Sequence, residues 1–139
     1  MSVNWLLDVN FILASRWTTH PDHQTAKAWL DSRDEFQTCA ITELGFVRIS
    51  LSSAYRATWK DVQESLEKPH GRGGHQLLAD DVTGTDSPET PAKDTTDAHL
   101  VVLARRHGLK LATLDMTLAS KPWAAGVAEN PLLGKSGKR

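Results

Sequence analysis

The sequence is poor in the features that staple or anchor a chain. It has a single cysteine, Cys39, so no intrachain disulfide can form and a cysteine-rich zinc site is excluded. No apolar run approaches the ~20 residues of a membrane-spanning helix, and Met1-Ser2-Val3-Asn4 lacks the basic stretch that opens a secretion signal. These absences predict a soluble, cytoplasmic protein with no membrane partner. A surplus of one charge is missing too: 16 Lys and Arg face 17 Asp and Glu, a net charge of -1. That near-balance hides an asymmetry, because Lys135, Lys138 and Arg139 all fall in the terminal Gly-Lys-Ser-Gly-Lys-Arg. Without those three the counts are 13 basic to 17 acidic, a balance of -4. So acidic a body is not built for indiscriminate phosphate binding, and contact with nucleic acid calls for a local basic surface or for metal ions.

What remains is the make-up of one globular domain: 139 residues, 40% of them hydrophobic. A chain of this size buries roughly two thirds of its unfolded surface, enough for a self-sufficient core. The expected organisation is a single domain over residues 1–133 and a basic, flexible tail over 134–139.

Val3 to Leu7 is a short apolar run ending at Asp8 and reads as a buried strand. Asn10 is positioned to cap a helix through Phe11, Leu13, Ala14 and Trp17, and Ala26, Trp29, Leu30 and Arg33 stand at helical spacing after the His20-Pro21-Asp22 break. A second strand is expected at Phe36 to Ala40, followed by a helix capped by Thr42 with Glu43 in its first turn. Tyr55, Trp59, Val62 and Leu66 form the stripe of a further helix; Trp59 joins Trp5 and Trp29 as an expected core tryptophan. Glycines and Pro69 argue against regular structure over 67–74, a short strand is expected within 76–82, and residues 83–94 read as a loop. Thr95 or Thr96 caps the clearest helix, with Asp97 in its first turn, Leu100, Val101, Leu103 and Ala104 on its core face and Gly108 just past its end. Leu109 to Leu114 reads as a strand ending at Asp115, and residues 126–128 as a final edge strand. Strands alternating with helices predict an α/β fold, a three-layer α/β/α sandwich around a mainly parallel sheet.

In such a sheet, ligands bind beyond the carboxyl ends of the strands. Asp8 and Asp115 each follow a predicted strand, and Glu43 and Asp97 each open a helix on the same edge. Four acids would thus meet in one cleft, where each ionised pair at roughly 4 Å repels by about 4 kcal/mol at an effective dielectric near 20. Such a cluster takes up protons or binds a divalent cation, and oxygen-only ligands favour Mg²⁺ or Mn²⁺. A metal held there polarises a phosphodiester and acidifies an attacking water. An acid in a helix's first turn is favourable on macrodipole grounds alone, so Glu43 and Asp97 taken singly prove little. Asp8 is different, because a carboxylate directly after Trp-Leu-Leu is costly unless something pairs with it.

The local wording is more specific. Leu6-Leu7-Asp8-Val9-Asn10, Thr42-Glu43-Leu44-Gly45-Phe46-Val47-Arg48, Thr96-Asp97-Ala98-His99-Leu100 and Leu111-Ala112-Thr113-Leu114-Asp115 occur in that order. Together they resemble the PIN-domain family, and within it the VapC-type toxins of prokaryotic toxin–antitoxin pairs, over about residues 3 to 130. The resemblance implies a Mg²⁺-dependent endoribonuclease, with Mn²⁺ as a substitute, whose catalytic acids are Asp8, Glu43, Asp97 and Asp115. Asn10 matches the polar position two after the first acid, and Thr113 the hydroxyl position two before the last. Asp8 and Asp97 are expected to contact metal directly, Asp115 directly or through water, and Glu43 to orient water. The resemblance further implies an RNA substrate, a cognate antitoxin docked across the acidic cleft, and a homodimer. Val9 departs from the family by standing where many relatives carry a small hydroxyl residue, and residues 83–94 have no clear counterpart.

Other constellations carry less. His20 with His23, or His70 with His75, would make a zinc site without a third ligand, or a metal-free histidine ribonuclease. Gly71-Arg72-Gly73-Gly74 lacks the Gly-Lys-Ser/Thr ending of a phosphate loop. Phosphatase and receiver folds also begin with an acid at a strand end, but here the residue two after Asp8 is Asn10 and no phosphoacceptor acid lies in Ser50 to Ser53. Arg48, Arg105 and Arg106 are candidate phosphate contacts. The competing function is a non-catalytic PIN-like scaffold that binds RNA or protein.

Overall fold

Three consecutive buried residues, Trp5–Leu7, form the central strand β1. A strand covered on both faces needs no polar alternation, and this one has none. The computed structural model describes residues 3–71 and 73–133, so the tail expected at 134–139 lies outside the described residues, as does Arg72. After β1 come α1 (Val9–Arg16), α2 (His23–Asp31), β2 (Phe36–Cys39), α3 (Ala40–Leu51), α4 (Trp59–His70) and β3 (His75–Leu78). The second half holds α5 (Thr95–Arg106), β4 (Lys110–Ala112), α6 (Met116–Ala119) and β5 (Ala128–Glu129), with short 3₁₀ turns at Ala92–Asp94 and Pro122–Ala124.

All five strands are parallel, in the order β3-β2-β1-β4-β5, with Leu6 in register with Gln37 on one side and Leu111 on the other. Trp5 and Leu7 face a layer made by Phe11 and Ile12 of α1, Trp29 and Leu30 of α2, Phe46 of α3 and Val62 of α4. Leu6 and Leu111 face the opposite layer, built on Leu100, Val101 and Leu103 of α5 and Leu118 of α6. The three-layer α/β/α sandwich is therefore present, and its sheet is wholly parallel. The chain runs from β1 out to β2 and β3, then returns to β4 on the other side of β1. The topological switch point falls between β1 and β4, where an open α/β sheet places its ligand crevice.

Where α1 meets α3, a glycine is required for contact. A Cβ on Gly45 would lie 2.5 Å from Cγ2 of Val9. Valine is stiff at χ1 and cannot simply turn aside. Gly45→Ala is therefore expected to destabilise the protein by about 1–2 kcal/mol, overpacking outweighing the roughly 1 kcal/mol that alanine gains over glycine in a helix. Adding Val9→Ala should relieve the clash, so a double-mutant cycle in urea should show strong coupling; additive effects would contradict this packing.

Several element boundaries differ from the sequence expectation. Asp8, not Asn10, caps α1. Cys39 precedes α3, and Thr42 sits inside its first turn, where its Oγ1 accepts from the Cys39 backbone N–H at 3.1 Å. Tyr55 lies before α4, which starts directly after its cap Thr58, with Asp61 in the first turn completing the reciprocal capping pair. Trp59, at the very start of that helix, overhangs the core and is 56% exposed. Residues expected as loop after Glu67 continue α4 to His70, because Pro69 falls in the last turn and Gly71 N–H still closes on Glu67 O at 2.9 Å. Asp94 precedes α5, β3 ends at Leu78, β4 ends at Ala112, and β5 lies at Ala128–Glu129.

Candidate active site

The switch point gathers its acids by backbone geometry. Asp8 leaves β1 as the N-cap of α1 and is only 5% exposed. Its Oδ1 accepts the Val9 backbone N–H at 2.8 Å, and its Oδ2 accepts the Thr113 hydroxyl at 2.7 Å. Thr113, fully buried just beyond β4, is the hub of the site. While its hydroxyl donates to Asp8, its Oγ1 accepts from Asn10 Nδ2 at 3.2 Å and from the Asp115 backbone N–H at 3.1 Å. Asn10 Oδ1 in turn accepts the Leu114 N–H at 3.0 Å, locking α1 to the end of β4. Asp115 caps α6 through Oδ1, which accepts from Thr117 N at 2.9 Å and Leu118 N at 3.1 Å. This one-turn helix has no counterpart among the elements expected from sequence, although Asp115-Met116-Thr117-Leu118 carries the capping signal.

Electrostatics ties a third acid to these two. Burial raises the Asp8 carboxyl above its ordinary value, opposed by its hydrogen bonds to Thr113 and Val9 and reinforced by the charge of Asp115. Asp97, half-buried in the first turn of α5, is pushed up to about 6 by burial first and then by Asp8, Asp115 and Asp94. Asp94 is an acid that sequence reasoning passed over; its i, i+3 relation to Asp97 across a helix start was the available signal. It is partly offset by Lys121, whose Nζ stands 3.6 Å away.

Asp8, Asp97 and Asp115 therefore share one field. Glu43 is placed differently: its Oε2 accepts the Thr38 hydroxyl at 2.6 Å, and it is not among the charges that raise Asp8 or Asp97. Among the described residues, no three His, Cys, Asp or Glu side chains form a ready-made ligand cluster. The aspartates interact through charge, and their donors are all oxygen, a set that suits Mg²⁺ or Mn²⁺ and disfavours zinc. A half-buried carboxylate that feels three like charges, as Asp97 does, is the kind of group a divalent cation relieves.

Beside the acids lies an apolar groove of about 460 Å³, lined by Val9, Ile41, Leu44, Val47, Arg48 and Thr96. Leu44, the neighbour of Glu43, is 67% exposed there. Arg48 is the expected phosphate contact that reaches this region. Arg105 and Arg106 bond the carbonyls of Trp123 and Asp81 at the far end of α5. Trp17 is stacked on Phe46 at 5.5 Å, with its Nε1 donating to Ser50. His23 holds the Ala14 carbonyl at 2.8 Å and His99 holds Asp80 at 2.9 Å, both as packing links between elements.

No family model matches the chain. Three curated proteins of Mycobacterium tuberculosis are similar to it over most of their length. Ribonuclease VapC38 is 39% identical over 121 residues, covering 79% of this chain and 84% of that protein. Ribonuclease VapC39 is 33% identical over 135 residues, covering 89% and 96%, and ribonuclease VapC44 is 32% identical over 125 residues, covering 82% and 87%. Among solved structures, FitAcB from Neisseria gonorrhoeae superposes with a TM-score of 0.58 at 21% identity, over 91% of this chain and 97% of that one, a likeness of fold. Identity of this order, held over more than four-fifths of each curated relative, is kinship rather than shared architecture, and the chain belongs to the VapC family of PIN-domain ribonucleases.

Proposed function

We propose that this protein is the toxin of a toxin–antitoxin pair, an endoribonuclease that depends on a divalent cation, Mg²⁺ with Mn²⁺ as a substitute. The observation that supports it most is the convergence of three acids at the switch point, where Thr113 ties Asp8 to the Asp115 turn and the charges of Asp8 and Asp115 both act on Asp97. Asp8, Asp97 and Asp115 would hold the ion. When bound, the ion would polarise the scissile phosphodiester and acidify the attacking water. The protein's own contribution is preorganisation. Thr113 and the Val9 N–H fix both oxygens of Asp8, α6 fixes one oxygen of Asp115, and Asn10 clamps the two loops together. Glu43 orients water or completes the shell from the β2 side.

The groove next to the acids is consistent with the partner. An antitoxin helix could seat apolar side chains against Ile41, Leu44 and Val47 while a basic side chain reaches the aspartates. A homodimer is proposed on the family resemblance, and light scattering of the antitoxin-free protein checks it. Among the described residues, no helix is long and apolar enough to cross a membrane.

The test is cleavage of total cellular RNA by antitoxin-free protein in Mg²⁺ or EDTA, beside Asp97→Asn, read by sequencing new 5′ ends. Discrete cuts in Mg²⁺ alone, absent from the variant, are expected. Cuts that survive EDTA would refute the cation requirement, and a variant that cuts as well as the parent would refute the site. RNA retained by the protein yet uncut in every lane would favour the non-catalytic scaffold.

A further inference from the structure

Glu43 is joined to a histidine by a short chain of hydrogen bonds lying outside the aspartate cluster. The Thr38 Oγ1 that donates to Glu43 Oε2 at 2.6 Å also meets Nε2 of His75 at 2.7 Å. The three residues come from α3, β2 and β3, so three separate elements must be in register for the chain to exist. Thr38 has one hydroxyl proton, and it goes to Glu43. The second contact must therefore take its proton from the imidazole, which donates through Nε2. The order is His75 to Thr38 to Glu43, each link directional.

The fold holds both ends of this chain in place. Thr38 is 3% exposed, so water does not compete for its hydroxyl. Phe36 is the β2 residue directly paired with His75, and the two rings lie 5.0 Å apart at 41°. Just before His75, a Cβ on Gly74 would fall 1.8 Å from the Asp34 carbonyl oxygen, so only glycine allows β3 to start there. Phe36 N–H closes that junction on Gly74 O at 3.0 Å. The strand carrying His75 is thus seated by backbone fit, and the imidazole is aimed along the sheet at Thr38.

We infer that His75, acting through Thr38, is a positioning residue that sets the orientation of the Glu43 carboxylate at the edge of the cleft. This rests on the proposed reading of Glu43 as an active-site acid. The Thr38 hydroxyl is bonded to Glu43 and to His75, so the influence of this pair on cleavage would pass through Glu43.

The experiment uses full-length protein and an RNA oligonucleotide carrying the strongest cut mapped in total RNA. Thr38→Val removes the hydroxyl at constant shape, His75→Leu removes the donor, and His75→Gln restores a donor near the Nε2 position. Thr38→Val and His75→Leu are each expected to slow single-turnover cleavage about 10-fold or more, as loss of partners that orient a site carboxylate does. Half-saturating enzyme concentration should stay within about twofold, the mark of an effect on the reacting geometry rather than on binding. The double variant should be no slower than the worse single one, and His75→Gln should recover most of the rate. If His75→Leu fails to fold, judged by circular dichroism, Thr38→Val and His75→Gln carry the comparison. Parental rates in folded Thr38→Val and His75→Leu beside a slow Glu43→Gln would overturn the positioning chain and leave Glu43 in its role. A Glu43→Gln variant as fast as the parent would overturn that role and the inference with it. Loss confined to half-saturation, or unrecovered by glutamine, would make His75 a packing residue and overturn the inference as well.

Discussion

Replacing Asp97 by asparagine is expected to silence cleavage and, in the absence of metal, to stabilise the fold. Both effects have one origin. Asp97 ionises near 6 in the folded protein against an ordinary 3.8, because burial and the charges of Asp8, Asp115 and Asp94 oppose its negative form. A folded state that raises a carboxyl's pKa binds more protons than the unfolded chain between those two values. Stability is then fully present below the lower value and is lost as pH rises through the upper one. Metal-free protein should therefore lose stability between about pH 4 and pH 6.5, with Asp8 shifted in the same direction. Asp97 is half-buried, so after discounting for solvent screening the loss is roughly 1–2 kcal/mol. Asparagine removes it, which should raise the melting temperature at pH 7.5 by about 3–8 °C and flatten its pH dependence. The same substitution removes a proposed cation ligand, and cleavage should fall about 100-fold or more. A thermal scan across pH in EDTA checks the first effect and RNA cleavage the second. A variant less stable than the parent at pH 7.5 would contradict the repulsion argument.

The second large effect is expected at Thr113. Valine there keeps the volume and the buried position but deletes one donor and an acceptor that serves two groups. Asp8 Oδ2, Asn10 Nδ2 and the Asp115 N–H would each lose a partner at a buried or half-buried site. Leaving such groups unsatisfied costs roughly 1–3 kcal/mol for the first and less for the more exposed ones, so about 2–4 kcal/mol in all is expected for Thr113→Val. Thr113→Ser retains the hydroxyl and should lose well under half of that. Urea denaturation at pH 7 measures the difference directly, and near-equal stabilities for valine and serine would contradict the hub role. Cleavage should follow the same ranking, because the hydroxyl holds Asp8 and the Asp115 turn at once.

Much of this geometry is legible in the sequence. A carboxylate placed directly after Trp5-Leu6-Leu7 needed a reason to be there, and the reason is the Thr113 hydroxyl two residues before Asp115. Asn10 and Thr113 were marked by their spacing to those acids through the family resemblance, and they prove to be bonded to each other. Residue type alone misplaces two helix caps. Asn10 and Thr42 are good capping residue types, but the buried residues ahead of them, Asp8 and Cys39, already stand where the strands end, and the helices start there. Trp59 shows the limit of a stripe: its spacing to Val62 and Leu66 is correct, yet a helix's first residue can project past the layer it packs on. Glu43 shows another. Its place in the first turn of α3 could be read, but its link to Thr38 and His75 depends on β2–β3 register, which no local pattern encodes. The loop over 83–94 stayed a loop apart from a single turn at Ala92–Asp94, and that turn delivers the unforeseen Asp94 to Asp97.

The measurement closest to the central claim is a Mn²⁺ titration of metal-free protein, followed by calorimetry and by melting temperature, at pH 5 and at pH 7.5. If the aspartates at the switch point form a cation centre strained by its own charge, Mn²⁺ should bind in both buffers. Binding should be weaker at pH 5, where Asp97 is protonated, with proton release near pH 6 and the larger thermal stabilisation at pH 7.5. Asp97→Asn should lose most of that binding, and Glu43→Gln should lose less. An absence of heat and of thermal shift at both pH values, or identical binding by the parent and Asp97→Asn, would contradict it.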